Sequence, residues 1–122
     1  MTEQNEKLLV VEDTFLIAMQ LQIDLKSLGY SVAGPAPSVE RAFKLLDRET
    51  IKAALLDVHL GNENSIPIAN KLTELDIPFL FITGFERVQV DSKQFDNHML
   101  LRKPINLEQL DTAMHKLLEK NE

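Results

Sequence analysis

Ala53-Ala54-Leu55-Leu56-Asp57-Val58 is the stretch that decides the fold: four apolar residues run unbroken into a carboxylate. A run this short, continuous rather than alternating, is expected of a strand covered on both faces in a parallel sheet. Outward from it, Leu8–Val11, Tyr30–Ala33, Phe79–Ile82 and Met99–Leu101 have the same character. The stretches between them carry helical spacing. Ile17, Leu21, Leu25 and Leu28 share one helical face, and Gly29 is placed to end that helix in a left-handed cap. Gly34, Pro35 and Pro37 are expected to break the chain after the second strand, and Ser38 to N-cap a helix burying Val39, Ala42, Phe43 and Leu46. Pro67 suits a first helical turn, with Ile68, Leu72 and Leu75 inward. The last helix follows Asn106, with Gln109 completing a capping box and Leu107, Leu110, Met114 and Leu117 buried. Glu86–Asn97 has poor helix formers and no stripe, so the fourth helix is expected to be short, irregular or mobile. The expected fold is α/β: a (βα)₅ doubly wound parallel five-stranded sheet, flavodoxin-like in order 2-1-3-4-5, with helices on both faces.

The chain has 122 residues, 44% hydrophobic and 26% charged, which fits one domain over residues 1–122 with a polar tail at 1–7. A net charge of −6 argues against non-specific nucleic-acid binding. The absence of cysteine excludes disulfides, thiolate metal sites and cysteine nucleophiles. No apolar stretch reaches membrane-spanning length and residues 1–7 are too polar for a signal peptide, so a soluble cytoplasmic protein is expected.

In such a sheet, ligands bind beyond the carboxyl ends of the strands. There the sequence places Glu12 and Asp13 after the first run, Asp57 after the third, Thr83 after the fourth, and Arg102 and Lys103 after the fifth. Alone, each has an ordinary reading: a helix cap, a turn threonine, a surface Lys-Pro. Together at corresponding strand ends they form a pocket. Carboxylates packed closely repel by about 4 kcal/mol per pair at an effective dielectric near 20. Lys103 offsets part of this, and a divalent cation held mainly by Asp13 would offset the rest. Oxygen ligands favour Mg²⁺, with Mn²⁺ as substitute. Asp57 is then a nucleophile toward a phosphoryl group, whose oxygens would be taken by metal, Lys103 and the Thr83 hydroxyl.

These residues resemble the receiver domains of two-component response regulators. Glu12-Asp13, Asp57, Thr83 and Lys103-Pro104 stand where that family has its acidic pair, phospho-acceptor, switch hydroxyl and lysine. The resemblance implies Mg²⁺ ligands from Asp13, Asp57 and the His59 main-chain carbonyl, with Glu12 acting through water, and a cis peptide before Pro104. It implies a phosphohistidine donor on a sensor histidine kinase or a histidine phosphotransfer protein. Pro78–Phe85, Gly29–Ala36 and Ala54–Val58 are further similar to the FATGUY receivers, mostly stand-alone proteins of alphaproteobacteria, although Ile82 replaces that group's usual alanine.

Three departures from the common pattern stand out. Leu100 occupies the place of an aromatic residue that reports phosphorylation, which puts the usual Thr–aromatic coupling in doubt. The loop Val58–Ser65 lacks the usual proline and closing glycine and is expected to be more mobile. Thr83 is followed by Gly84 and Phe85. Phe85 is a candidate to shield the phosphoryl group and His59 to orient water toward it, while His98 and His115 read as surface or edge residues. The implied function is a phosphorelay receiver without an output domain, not an enzyme. It would be a monomer or weak dimer that signals through the fourth and fifth helices and fifth strand, or acts as a phosphate sink. A haloacid-dehalogenase-type phosphatase would need an aspartate where His59 stands. A phosphorylation-independent adaptor would have no chemical need for Asp13, Asp57, Thr83 and Lys103 together.

Overall fold

A computed structural model of the chain describes residues 6–84 and 99–119. In chain order the elements are β1 (Glu6–Val11), α1 (Phe15–Ser27), β2 (Val32–Ala36), α2 (Val39–Arg48) and β3 (Thr50–Asp57). There follow β4 (His59–Leu60), β5 (Glu63–Asn64), α3 (Ile66–Glu74), β6 (Phe79–Thr83), β7 (Met99–Arg102) and α4 (Leu107–Glu119). The main sheet is parallel in the order β2-β1-β3-β6-β7, which is 2-1-3-4-5 once the β4–β5 hairpin is set aside. The doubly wound α/β expectation holds. The fourth expected helix, Glu86–Asn97, lies outside the described residues.

Continuous apolar strands arise because successive side chains point to opposite, equally covered faces. Leu8, Val10, Ala53, Leu55, Leu80 and Ile82 pack with α1 and α4. Their neighbours Leu9, Val11, Ala54, Leu56, Phe79 and Phe81 pack with α2 and α3. The alternation is interrupted in β3. The pairing runs Lys7↔Ile51 and then Leu8↔Ala53, so Lys52 is an extra residue in β3. This bulge is why Ile51 and Ala54, an odd number of positions apart, face the same core.

Three sequence expectations need correction. The second strand does not end at Ala33: β2 runs through Gly34 and Pro35 to Ala36, which pairs with Val11. Gly34 sits at φ +97 and absorbs one extra residue, and a Cβ there would stand 2.8 Å from the Ala36 nitrogen and 3.0 Å from the Val10 carbonyl. Phe43, Leu75 and Leu107 are exposed rather than buried. Phe43 lies just round α2 from Ala42, while Leu75 and Leu107 sit at helix ends. Lastly, the stretch after Asp57 is built as a hairpin, with His59↔Asn64 and Leu60↔Glu63 paired and Leu60 buried. The other capping expectations hold. Ser38 accepts from the Arg41 N–H, Asn106 and Gln109 exchange reciprocal bonds, Pro67 lies in the first turn of α3, and Gly29 follows α1 at φ 100.

Candidate functional site

Parallel strands bring their carboxyl ends to one edge of the sheet. The registers set Val11 beside Leu56, Asp57 beside Ile82, and Thr83 beside Arg102. Glu12, Asp13, Asp57, Thr83 and Lys103 therefore gather at that edge. Glu12, Asp13 and Asp57 each offer a carboxylate oxygen within 4.8 Å of the others. Asp57 is only 5% exposed and Glu12 2%, whereas Asp13 faces solvent.

Lys103 is the cation among them. Its Nζ lies 3.2 Å from Asp57 Oδ2, to which it donates, and 3.0 Å from Glu12 Oε1. The Glu12 contact is an ion pair without hydrogen-bond alignment, and Oε1 finds no other donor among the described residues. The other Glu12 oxygen accepts from the Thr14 N–H at 3.1 Å. On the opposite side of Asp57, Oδ1 accepts from the His59 N–H at 3.3 Å. Thr83 donates its hydroxyl to the Gly84 carbonyl at 3.3 Å, and its own carbonyl takes the Lys103 N–H at 2.8 Å. The peptide between Lys103 and Pro104 is cis.

Burial pushes the Glu12 carboxyl up to about 7, reinforced by the neighbouring Asp57 carboxylate and opposed by Thr14 N–H and Lys103. Burial alone would lower the Lys103 ammonium, but Glu12 and Asp57 more than reverse this and its pKa rises. Three carboxylates thus share one ammonium, and one buried carboxylate oxygen has no hydrogen-bond donor. A hard divalent cation with oxygen ligands fits this donor set.

All the sequence-derived carboxylates, Thr83 and Lys103 are brought together here. His59 joins through its main-chain N–H, and its side chain is exposed. Phe85 and His98 lie outside the described residues. His115 is exposed on α4 beside Asp111, whose carbonyl and carboxylate raise its pKa. Sequence reasoning missed two supports. The Thr14 N–H holds Glu12, for which a carboxylate three residues ahead of a helix is the available signal. Gly61, at the tip of the hairpin, passes close enough to Asp13 that a Cβ there would lie 3.7 Å from its Oδ2. Beside Lys103, a cleft of about 550 Å³ is lined by Leu16, Ile17, Leu21, Pro104 and Ile105. The adjoining surface of α1 is apolar, with Phe15 72% and Leu16 74% exposed.

The family model of the response regulator receiver domain matches residues 8–115. The sensory transduction protein LytR of Staphylococcus haemolyticus is 28% identical over 114 residues, covering 91% of this chain and 44% of the relative. The chain therefore spans less than half the length of that relative. The solution structure of SdrG from Sphingomonas melonis Fr1 superposes with a TM-score of 0.83 at 38% identity, covering 94% of this chain and 98% of that one. The REC domain of the PhyR response regulator from Erythrobacter litoralis gives a TM-score of 0.82 at 27% identity, covering 93% and 89%.

Proposed function

This chain belongs to the response regulator receiver family and is a phosphorelay receiver, and from that premise we propose that Asp57 is its phospho-acceptor. One observation carries the reading. A nearly buried carboxylate at the end of the central strand is held between the Lys103 ammonium on Oδ2 and the His59 N–H on Oδ1.

In the proposed reaction an Asp57 oxygen attacks the phosphorus of a phosphohistidine. The new P–O bond forms as the P–N bond breaks, and the ring nitrogen leaves with the electron pair. Asp57 becomes an acyl phosphate. Lys103, already against Oδ2, turns its ammonium to a phosphoryl oxygen, and Thr83 exchanges the Gly84 carbonyl for another. Asp13, Asp57 and the His59 carbonyl would hold Mg²⁺ or Mn²⁺, with Glu12 assisting through water. When bound, the ion neutralises charge on the incoming group. Acceptance and hydrolysis both take place on Asp57, so the proposed chemistry is self-modification by a phosphoryl donor rather than turnover in the manner of an enzyme.

The donor is proposed to be a sensor histidine kinase or histidine phosphotransfer protein, and the apolar surface of Phe15 and Leu16 beside the site supports docking there. Downstream signalling is proposed to pass through the face of β7 and α4, by a population shift between two states. Leu100 stands 45% exposed on β7 without an aromatic ring to rotate. Among the described residues, no helix is long and apolar enough to cross a membrane.

The test is intact-mass analysis after incubation with Mg²⁺ and acetyl phosphate. Wild type should gain one phosphoryl group and Asp57→Asn none. No gain in wild type, with a phosphorylated kinase also failing as donor, would overturn the assignment.

A further inference from the structure

The hairpin after Asp57 has only two residue pairs, His59↔Asn64 and Leu60↔Glu63. A two-stranded hairpin of that size does not hold itself together in water. Its position must come from what it touches. Leu60 is buried in the core shared with α2 and α3, and Ser65 donates its N–H to the Val58 carbonyl. Asn64 Oδ1 accepts from the Ile66 N–H at 2.9 Å, a local tie to the start of α3. One further link is longer in range. Glu63 Oε1 accepts from the backbone N–H of Val39 at 3.0 Å, across 24 positions of sequence.

Val39 is the first residue of α2, and its N–H is one of the donors that a helix leaves unpaired at its start. The helix's own cap, Ser38, serves a different donor, the Arg41 N–H at 3.2 Å. A carboxylate at this end is favoured both by hydrogen bonding to an ionised acceptor and by the helix dipole. α2 is in turn anchored in the core by Ala42, with Val39 and Leu45 packed beside it. Glu63 therefore ties the hairpin to a fixed element. The same hairpin presents the His59 N–H to Asp57 Oδ1 and brings Gly61 near Asp13, where a Cβ would lie 3.7 Å from Oδ2.

We propose that Glu63 is a positioning residue of the phosphorylation site: its bond to α2 helps fix the hairpin so that the His59 N–H stays on Asp57 and Gly61 stays near Asp13. The proposal rests on the assignment of Asp57 as acceptor. It explains how a loop without the usual proline and closing glycine holds its place.

The experiment compares Glu63→Ala, Glu63→Gln and Ser38→Ala in the full chain. Four quantities are read: hydrogen exchange at the His59 amide, Mn²⁺ affinity by electron paramagnetic resonance, initial rate of phosphorylation by acetyl phosphate, and thermal midpoint. Glu63→Ala should speed His59 exchange, and should weaken Mn²⁺ binding and slow phosphorylation about fivefold to tenfold, the reach of one charge-assisted hydrogen bond. Glu63→Gln keeps an oxygen acceptor for Val39 and should stay within about twofold of wild type. Ser38→Ala removes the other α2 cap, so it should lower the thermal midpoint while leaving the three site readouts unchanged. Unaltered His59 exchange in Glu63→Ala, or equal losses at the site in Ser38→Ala, would overturn the proposal. If wild type itself accepts no phosphoryl group, the Asp57 assignment fails, and His59 exchange still decides whether Glu63 positions the hairpin.

Discussion

The two sides of Asp57 are built differently. On one side Lys103 is fastened by its N–H to the Thr83 carbonyl and sets its ammonium among two buried carboxylates. On the other, a hairpin anchored by buried Leu60 and trimmed by exposed polar bonds of Glu63 and Asn64 offers a main-chain N–H. The first side is a desolvated charge cluster, where each group is held because leaving it unpaired costs several kcal/mol. The second has one buried side chain, Leu60, and beyond it capping bonds of about 1 kcal/mol each. Charge neutralisation is thus built rigidly here, while the loop carrying the remaining contacts is tunable.

The largest loss is expected at Lys103. Lys103→Ala removes the only ammonium on the carboxylate cluster among the described residues, and should slow phosphorylation by acetyl phosphate about a hundredfold or more. Intact-mass time courses read it directly.

Glu12 sharpens the same side through pH. Its carboxyl is pushed from 4.5 up to about 7, so the metal-free folded state holds a proton that the unfolded chain releases earlier. This stabilisation is fully present below 4.5 and is lost as pH rises through about 7. Thermal midpoints in chelator should fall across that window, and Glu12→Gln should flatten the fall. An equally steep slope in the variant would assign it elsewhere.

The hairpin side should respond more weakly. Asn64 Oδ1 accepts from the Ile66 N–H at 2.9 Å and caps α3, so Asn64→Ala should cost about 1 kcal/mol in denaturant unfolding. Ser65 is the formal N-cap of that helix, yet its buried hydroxyl has no partner among the described residues. Ser65→Ala should therefore change stability by about zero, or raise it slightly, because it removes an unsatisfied polar group. A loss as large as that of Asn64→Ala would show that the hydroxyl does cap the helix.

How much of this could be read from the sequence follows the same division. The strand ends were legible because a continuous apolar run ending in a charged or hydroxyl residue is a local pattern, as at Leu56-Asp57 and Ile82-Thr83. Caps that lie within three residues, such as Asn106 with Gln109, were legible for the same reason. The hairpin was not, since strands of two residues are too short to show a period. Nor was the Glu63 link to α2, which depends on tertiary placement alone. In α1 the inward face was readable, but Phe15, Leu16, Met19 and Ile23 are also apolar and stand exposed, so composition did not separate the wet side from the dry one. At Gly34-Pro35, two residues that ordinarily end a strand serve instead as a bulge, and a bulge is visible only against the partner strand.

That bulge has a consequence far from the chemistry. β2 is the outermost strand on its side of the sheet, where a row of free backbone groups would invite another chain to add a strand. Pro35 has no N–H to offer, and the extra residue at Gly34 throws the row out of step. An incoming strand would lose its pairing partway along, so this margin resists polymerisation by strand addition.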